Sequence, residues 1–429
     1  MAAPPLILIL PFVLLLGAMA LAPVLAPQWW LKHYPKVALG LGAITTGVYL
    51  LVLRDPASLG HAAHEYVSFI ALVGSLYVVA GGIQIQVPGG ATPLANVVFL
   101  FTGAVAANVL GTTGAAMLLI RPWIHMNQGR IAAHHIAFFI FLVANVGGCL
   151  TPIGDPPLFL GFLQGIPFWW VAQKCWPMWA VGTGLLLAIF YVVDRISRSR
   201  SLRNKCSVAP EAQSVDAQRQ PYTGPWRMAG RPNLFFLAVM LGAVFINRPP
   251  FLREGLMLLA AAGSYFTTKK SVHTANEFNF HPVIEVAVLF AGIFATMIPA
   301  LAWLDHSAAK LLGPAPAPGI FYWGTGGLSS MLDNAPTYLG FISALFGVAG
   351  TGDIAKLLDQ NTLHVLAISI GAVFFGAATY IGNGPNFMVK AIAEERGVRM
   401  PSFVEFILKF SLPFLLPVLL AIWLLFFRD

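Results

Sequence analysis

Charge is scarce in this sequence. Asp, Glu, Lys and Arg make up 10% of its 429 residues, against 58% apolar residues. A soluble domain carries roughly 25% charged residues. A surface this poor in charge is not solvated by water, so lipid is the solvent for most of the chain. Cysteine is scarce too. Cys149, Cys175 and Cys206 show no disulfide or zinc spacing. The ten histidines form no ligand motif; His134 and His135 are adjacent and are expected not to share a helix face. The GxSxG and HExxH patterns of a hydrolase are absent. The net charge is +8, but the basic residues concentrate in a few loops between apolar runs, which is a membrane topology signal and not a nucleic-acid surface.

What is present is a series of apolar runs of spanning length, about 20 residues each. They fall at 4–26, 37–53, 66–83, 131–160, 174–194, 232–247, 250–268, 281–303, 362–392 and 402–427. The first imitates a signal peptide but lacks a basic n-region, so it reads as an uncleaved span. Two further stretches, 93–122 and 316–347, are interrupted near their middles by Gly, Pro, Asn or Asp. They read as helical hairpins that enter and leave on one side, because non-helical backbone is tolerated at that depth only when buried in protein or lining a cavity. The one long polar stretch, 195–231, carries eight of the 25 Lys and Arg residues and reads as a cytoplasmic linker. Counting spans outward from it places seventeen of the 25 inside, including Arg121, Arg130, Lys390 and Arg396, and seven outside.

The two halves repeat. Glu65-Tyr-Val-Ser-Phe-Ile-Ala resembles Glu285-Val-Ala-Val-Leu-Phe-Ala. Asn108-Val-Leu-Gly-Thr112-Thr113 aligns with Ser330-Met-Leu-Asp333-Asn334-Ala335. Thr151-Pro-Ile-Gly154-Asp155-Pro-Pro157 aligns with Thr379-Tyr-Ile-Gly-Asn383-Gly-Pro385. The offsets are 220, 222 and 228, in the same order along the chain. Five spans per half force the halves into opposite orientation. Inverted repeats with interrupted helices in matching positions point to a secondary transporter, with its site where the breaks meet.

Four breaks carry the candidate chemistry: 108–113, 145–157, 329–337 and 379–386. Each frees backbone groups that a continuous helix would consume, and each adds side-chain oxygens. The candidate ion- or substrate-binding residues are Asn108, Thr112, Thr113, Asn145, Thr151, Gly154, Asp155, Ser330, Asp333, Asn334, Thr337, Thr379, Asn383 and Asn386. Asp155, Asp333 and Asn334 are the candidate sodium ligands, with Asp333 the leading cation- or proton-binding carboxylate. The alternatives are a small-residue packing face at 108–113, a solvated surface loop at Asp155, and a helix cap at Asp333. No Lys or Arg lies within the four motifs; Lys390 follows one turn later. An acid-bearing site poor in cations favours Na⁺ or H⁺ over an unaccompanied anion. Glu65 and Glu285, at matching span starts, read as interfacial.

At these residues the sequence resembles the ion transporter superfamily, which includes NhaD-type sodium/proton antiporters, citrate–metal symporters, arsenite permeases and the melanosomal P protein. The stretch from Asn145 to Pro157 is similar to its NxGGxxTxIGDPP segment, Ser330 to Pro336 to its SxxDNxP segment, and Gly382 to Phe387 occupies the place of its second Gly-rich break. The likeness covers roughly residues 60–400. It implies a mobile transport domain of two hairpins and two broken helices, a scaffold of the remaining helices, a homodimer, elevator-type movement and ion coupling. The paired Ser-Asn-Thr signature of dicarboxylate members is absent from the first tip.

The sequence therefore predicts an all-α polytopic membrane protein of about ten spans and two hairpins. Residues 1–194 form a first inverted repeat, 195–231 a cytoplasmic linker and 232–429 a second repeat. It predicts no enzyme and no resident cofactor, with Na⁺ or H⁺ as transported or coupling ions. The leading function is sodium/proton antiport, and the alternative is a symporter of citrate or another organic anion, in a bacterial inner membrane.

Overall fold

Proline opens much of the helical structure. Its missing N–H costs nothing in a first helical turn and its fixed φ suits one. In a computed structural model of the chain, which describes residues 4–205, 226–246, 248–313 and 315–428, Pro stands at the start of α2 (Pro27–Leu51), α3 (Pro56–Gly81), α4 (Pro93–Met126), α6 (Pro156–Leu163) and α12 (Pro318–Ser329). The other helices are α1 (Leu10–Leu25), α5 (Ala133–Leu142), α7 (Phe168–Lys205), α8 (Asn233–Ala243), α9 (Leu252–Thr267), α10 (Lys270–Ala275), α11 (His281–Leu312), α13 (Asn334–Ala349), α14 (Ile354–Gln360), α15 (Thr362–Gly376), α16 (Gly384–Glu395), α17 (Phe403–Phe406) and α18 (Leu416–Phe426). A π-helical stretch, Ile407–Leu415, joins the last two. Among the described residues six helices are long and apolar enough to cross a membrane, or seven if α13 and α14, bent by 81°, count as one. The protein is thus a helical membrane protein. The runs expected at 131–160 and 362–392 fall short of an unbroken span because each is interrupted, and those expected at 232–247 and 250–268 because α8 has only 11 residues and α9 has 16. Helix α2, over the run expected at 37–53, is not among the six.

The longest apolar helix but one does not run straight. A 34-residue helix such as α4 would extend about 51 Å, yet the N–H of Ala91 donates to the carbonyl of Met126 at 3.1 Å. The chain doubles back at Gly111, whose φ of +73° is open to glycine and costly to any side chain. Gly103 faces Leu119 across the two legs. The segment 316–347 also folds back. The rings of Phe321 in α12 and Phe341 in α13 lie 6.3 Å apart, and Asp333 caps α13 by accepting from the N–H of Ala335 at 3.1 Å.

The two broken helices run through the centre. Every residue from 135 to 149 and from 365 to 377 is buried, as expected of a helix apolar all round. At one end of the bundle, strand β1 (Gln84–Gln86) pairs antiparallel with β2 (Arg227–Ala229), so the mouth of the α4 hairpin lies beside the chain that leaves the linker. Arg121 and Arg396 meet Glu277 at the same end. At the other, Gln164 donates to Glu65 at 2.6 Å, and Phe427 stacks on Tyr322 with centroids 5.1 Å apart. The linker expected from 195 begins as the last turns of α7, which continues to Lys205; Cys206 and Arg219 lie outside the described residues. Cys149 and Cys175 are free and buried.

The expectation for the histidine pair does not hold. His134 and His135, in the first turn of α5, both reach Asp194 of α7, with Nε2 at 3.7 and 3.1 Å from the same carboxylate oxygen. Long imidazole side chains at a helix start converge where residues on a mid-helix surface would diverge. Arg130 binds Asp194 through two hydrogen bonds (2.6 and 3.1 Å), and Asn96 adds another at 2.9 Å. His135 Nδ1 accepts from the N–H of Ala132 at 3.2 Å, so its proton is on Nε2 and faces Asp194. The cluster is a buried ion-pair anchor between the hairpin mouth and α7.

Candidate functional site

Small residues let the backbones of the breaks approach. A Cβ on Gly148 would lie 2.6 Å from the Thr112 side chain and 2.8 Å from the carbonyl of Gly154; one on Gly382 would lie 2.6 Å from the carbonyl of Gly376 and 2.7 Å from that of Ser329. Hairpin tips and breaks are then joined by matching hydrogen bonds. Thr151 Oγ1 donates to the carbonyl of Asn108 and Thr379 Oγ1 to that of Ser330, each at 2.6 Å. Each threonine also accepts from the glycine three residues on, Gly154 at 3.0 Å and Gly382 at 3.1 Å. The N–H of Thr112 donates to Gly154 O at 2.7 Å.

Asp155 lies where three of these elements meet. Its carboxylate, 0% exposed, accepts from Thr112 Oγ1 at 2.7 Å, Asn334 Nδ2 at 2.6 Å and Asn383 Nδ2 at 3.0 Å. The partners come from the α4 tip, the start of α13 and the second break. All three donate, so the shell solvates the anionic carboxylate, and none of the three carries a positive charge. A buried carboxylate without a counter-charge is costly unless a cation or proton joins it. One group beside it is unspent: Asn334 Oδ1 is buried and accepts no hydrogen bond. Lys390, the nearest cation by sequence, is taken up by Glu394 at 2.8 Å and lies over the Tyr380 ring.

The other candidates sort by what they touch. Asn145 Nδ2 donates to Asn386 Oδ1 at 2.8 Å and its Oδ1 accepts from Asn383 at 3.1 Å, tying the two breaks together. Asn386 donates to the carbonyls of Gly376 and Thr379, both at 2.8 Å. Asn108 spends both ends of its amide on backbone, donating to Gly147 O at 2.7 Å and accepting from Leu150 N–H at 2.8 Å. Ser330 and Thr337 turn back on their own segments, donating to Gly327 O and Asp333 O at 2.7 and 3.0 Å. Thr113 lines a cavity of about 20 Å³ with Gly111, Thr112 and Gly154, room for about one water. Asp333 caps α13 and also lines a larger cavity of about 190 Å³. Apart from the rings of Trp30 and Tyr380, its polar side chains are Asp333, Asn383 and, from α11, Glu285. The rest of its lining is apolar, and it has no Lys or Arg.

Some residues have surroundings that the sequence did not indicate. Glu65 is buried, at 5% exposure. It lines a cavity of about 590 Å³ together with Arg253 and Glu254. Arg253 donates to Glu254 at 2.7 Å, and Ser68 to the same carboxylate at 2.6 Å. The signal available was the adjacent Arg-Glu pair at the start of an apolar run. For Asp194 it was an acid at the end of one.

Comparison with known proteins adds one family and one partial likeness. An ATP-dependent dethiobiotin synthetase from Methylobacterium nodulans is 28% identical over 183 residues, 41% of this chain and 80% of that protein. The present sequence has no GxxxxGK[ST] phosphate loop, so this likeness lends no argument for nucleotide chemistry. A family model described as "Putative citrate transport" matches residues 1–427. With its apolar helices and broken central segments, the chain belongs to this citrate transport family.

Proposed function

We propose that the protein is a cation-coupled secondary transporter in which Asp155 holds the coupling Na⁺ or H⁺. The observation that carries this reading is the shell of Asp155: three donors, no positive charge and an unspent amide oxygen on Asn334. A sodium ion beside the carboxylate would compensate its charge and take up Asn334 Oδ1, and a proton would compete with it. Exchange by that competition is sodium/proton antiport, and we take it as the leading function. The matching bonds at Thr151 and Thr379, and the hairpins that open toward opposite ends, support two inverted repeats with the breaks between them. We infer elevator-type movement of the hairpins and broken helices against a scaffold, a homodimer, and a bacterial inner membrane with the 195–231 linker in the cytoplasm.

A second reading has its own support. The family match favours citrate. The acid-lined cavity of about 190 Å³ holds Asp333 and Glu285 without a basic residue, so it suits an anion only as a complex that brings its own cation. Proteoliposomes separate the two. Antiport predicts that sodium added outside dissipates an imposed pH gradient without citrate. Symport predicts labelled citrate uptake that depends on a metal ion. Absence of both activities in protein that binds neither sodium nor citrate would overturn the cation-coupled reading.

A further inference from the structure

The charge on the cavities is not uniform. The cavity at the outer end carries Glu65 and Glu254 against Arg253, and the central one carries Glu285 and Asp333 with no base. A third cavity, of about 510 Å³, opens at the linker end and reverses the balance: its charged lining residues are Arg121, Arg396 and Glu277, with His125 beside them. The rest of its lining includes Gln84, Gln86, Thr274 and Asn276, so it is polar as well as cationic.

Within it a carboxylate is already clamped. Arg121 donates to Glu277 Oε2 through Nε at 3.3 Å and Nη2 at 3.0 Å, and Arg396 Nη2 donates to Oε1 at 2.7 Å. One guanidinium thus grips one carboxylate oxygen through two N–H groups and the second takes the other oxygen, charge-assisted contacts that suit a carboxylate. Glu277 is held out by an unusual backbone: its φ of +49° is left-handed, rare for a residue with this side chain. The loop behind it is pinned, since Asn276 Nδ2 donates to Gly81 O and Ile83 O at 2.8 and 2.7 Å, and Tyr77 donates to Asn279 O at 2.9 Å. Arg121 and Arg396 come from other elements, the second leg of the α4 hairpin and the end of α16. The three charges therefore join the loop before α11 to those elements, and two cations share one built-in carboxylate. His125 Nε2, buried in the same wall, makes no hydrogen bond.

We propose that the linker-side cavity is a binding site for small polycarboxylate anions, with Arg121 and Arg396 as its clamp and Glu277 as a tethered competitor. An entering carboxylate takes the place of Glu277 on the two guanidinium groups, and the released loop frees the α4 hairpin and α16 from their contact at that end. The inference stands apart from the role of Asp155, because the clamp shares no residue with the central site.

The test is equilibrium dialysis of labelled citrate against the full-length protein in detergent, in an Asp155→Asn background so that ion-coupled central binding does not contribute. Partly exposed ion pairs of this kind are each worth a few-fold in an equilibrium constant. Glu277→Gln is expected to lower the citrate Kd about five- to tenfold, and Arg121→Gln or Arg396→Gln to raise it about fivefold or more. Binding should weaken with added salt. A Glu277→Gln protein that binds citrate no more tightly than its parent would overturn the proposal, as would Arg variants that bind as the parent does. Should Arg121→Gln fold poorly, Arg396→Gln, which lies beyond the end of α16, supplies the same comparison.

Discussion

Asp155→Asn separates charge from shape at the centre of the site. Thr112 and Asn383 donate to Asp155 Oδ1, and Asn334 donates to Oδ2. An asparagine that keeps its oxygen at the first position retains two of these bonds. Its NH₂ would then face the NH₂ of Asn334, but Asn334 has a spare acceptor, its unbonded Oδ1. A flip of the Asn334 amide turns the clash into a hydrogen bond. The new side chain is then paired at both ends, at the cost of turning the Asn334 NH₂ to the side where its oxygen had no partner, while the buried charge is gone. Bonds to a neutral amide are weaker than bonds to a carboxylate by about 1 kcal/mol each, and relief of an uncompensated buried charge offsets this loss. Without sodium, the Asp155→Asn protein should therefore melt within a few degrees of the parent. Asp155→Ala instead strands the buried donors of Thr112 and Asn334, at about 1–3 kcal/mol each, while Asn383 keeps Ala144 O and Asn145 Oδ1, and should melt well below both. The assay is thermal unfolding in detergent with and without sodium. A ligand at a hundredfold excess over its Kd stabilises a native protein by about 2.7 kcal/mol, so the parent should show a sodium-dependent rise that Asp155→Asn lacks. A full sodium response in Asp155→Asn, or coupled flux at the parental rate, would refute the assignment. An Asn variant as unstable as the Ala variant would refute the account of the shell.

Asp333→Asn should keep the cap on α13, since Asn is as good a cap as Asp; unchanged melting together with loss of ion-coupled flux in vesicles is expected if the carboxylate serves the central cavity. Asn383→Asp would set two carboxylates 3.0 Å apart in a buried site and remove the donor to Ala144 O and Asn145 Oδ1. Its stability should fall by about 3 kcal/mol or more at neutral pH and recover as pH falls and one of the acids takes up a proton, which pH-dependent melting would show. Gly154→Ala drives a methyl group into the carbonyl of Gly148, so low yields of folded protein by size-exclusion chromatography are expected. Glu277 lies outside the spans. Burial raises its carboxyl, but the hydrogen bond from Arg121 and the charge of Arg396 outweigh it and leave the group below its ordinary value. Its contribution to stability is therefore present at neutral pH and is lost as pH falls through its lowered value, so Glu277→Gln should flatten the acid limb of the melting profile.

Local chemistry carried much of the architecture in the linear sequence. The scarcity of charge announced a lipid-facing protein, and its long apolar runs a helical one, because a helix satisfies the backbone of such a run within the segment itself. Gly111 and the Gly/Pro runs at 145–157 and 379–386 marked interruptions, because clustered Gly and Pro make continuing a helix costly. Convergence was a different matter. That Thr112, Asn334 and Asn383 meet on Asp155 while Ser330 and Thr337 bond their own segments depends on side-chain direction at three crossing breaks, which no spacing encodes. The pairing of His134 and His135 on one carboxylate, and of Arg121 and Arg396 on Glu277, joins residues between 59 and 156 positions apart. Residue types and their order thus decided that this chain lives in lipid and breaks its helices in four places. Only the packing of those breaks decided which carboxylate is surrounded by donors without a counter-charge, because burial and hydrogen-bond partnership are properties of what the rest of the chain brings alongside.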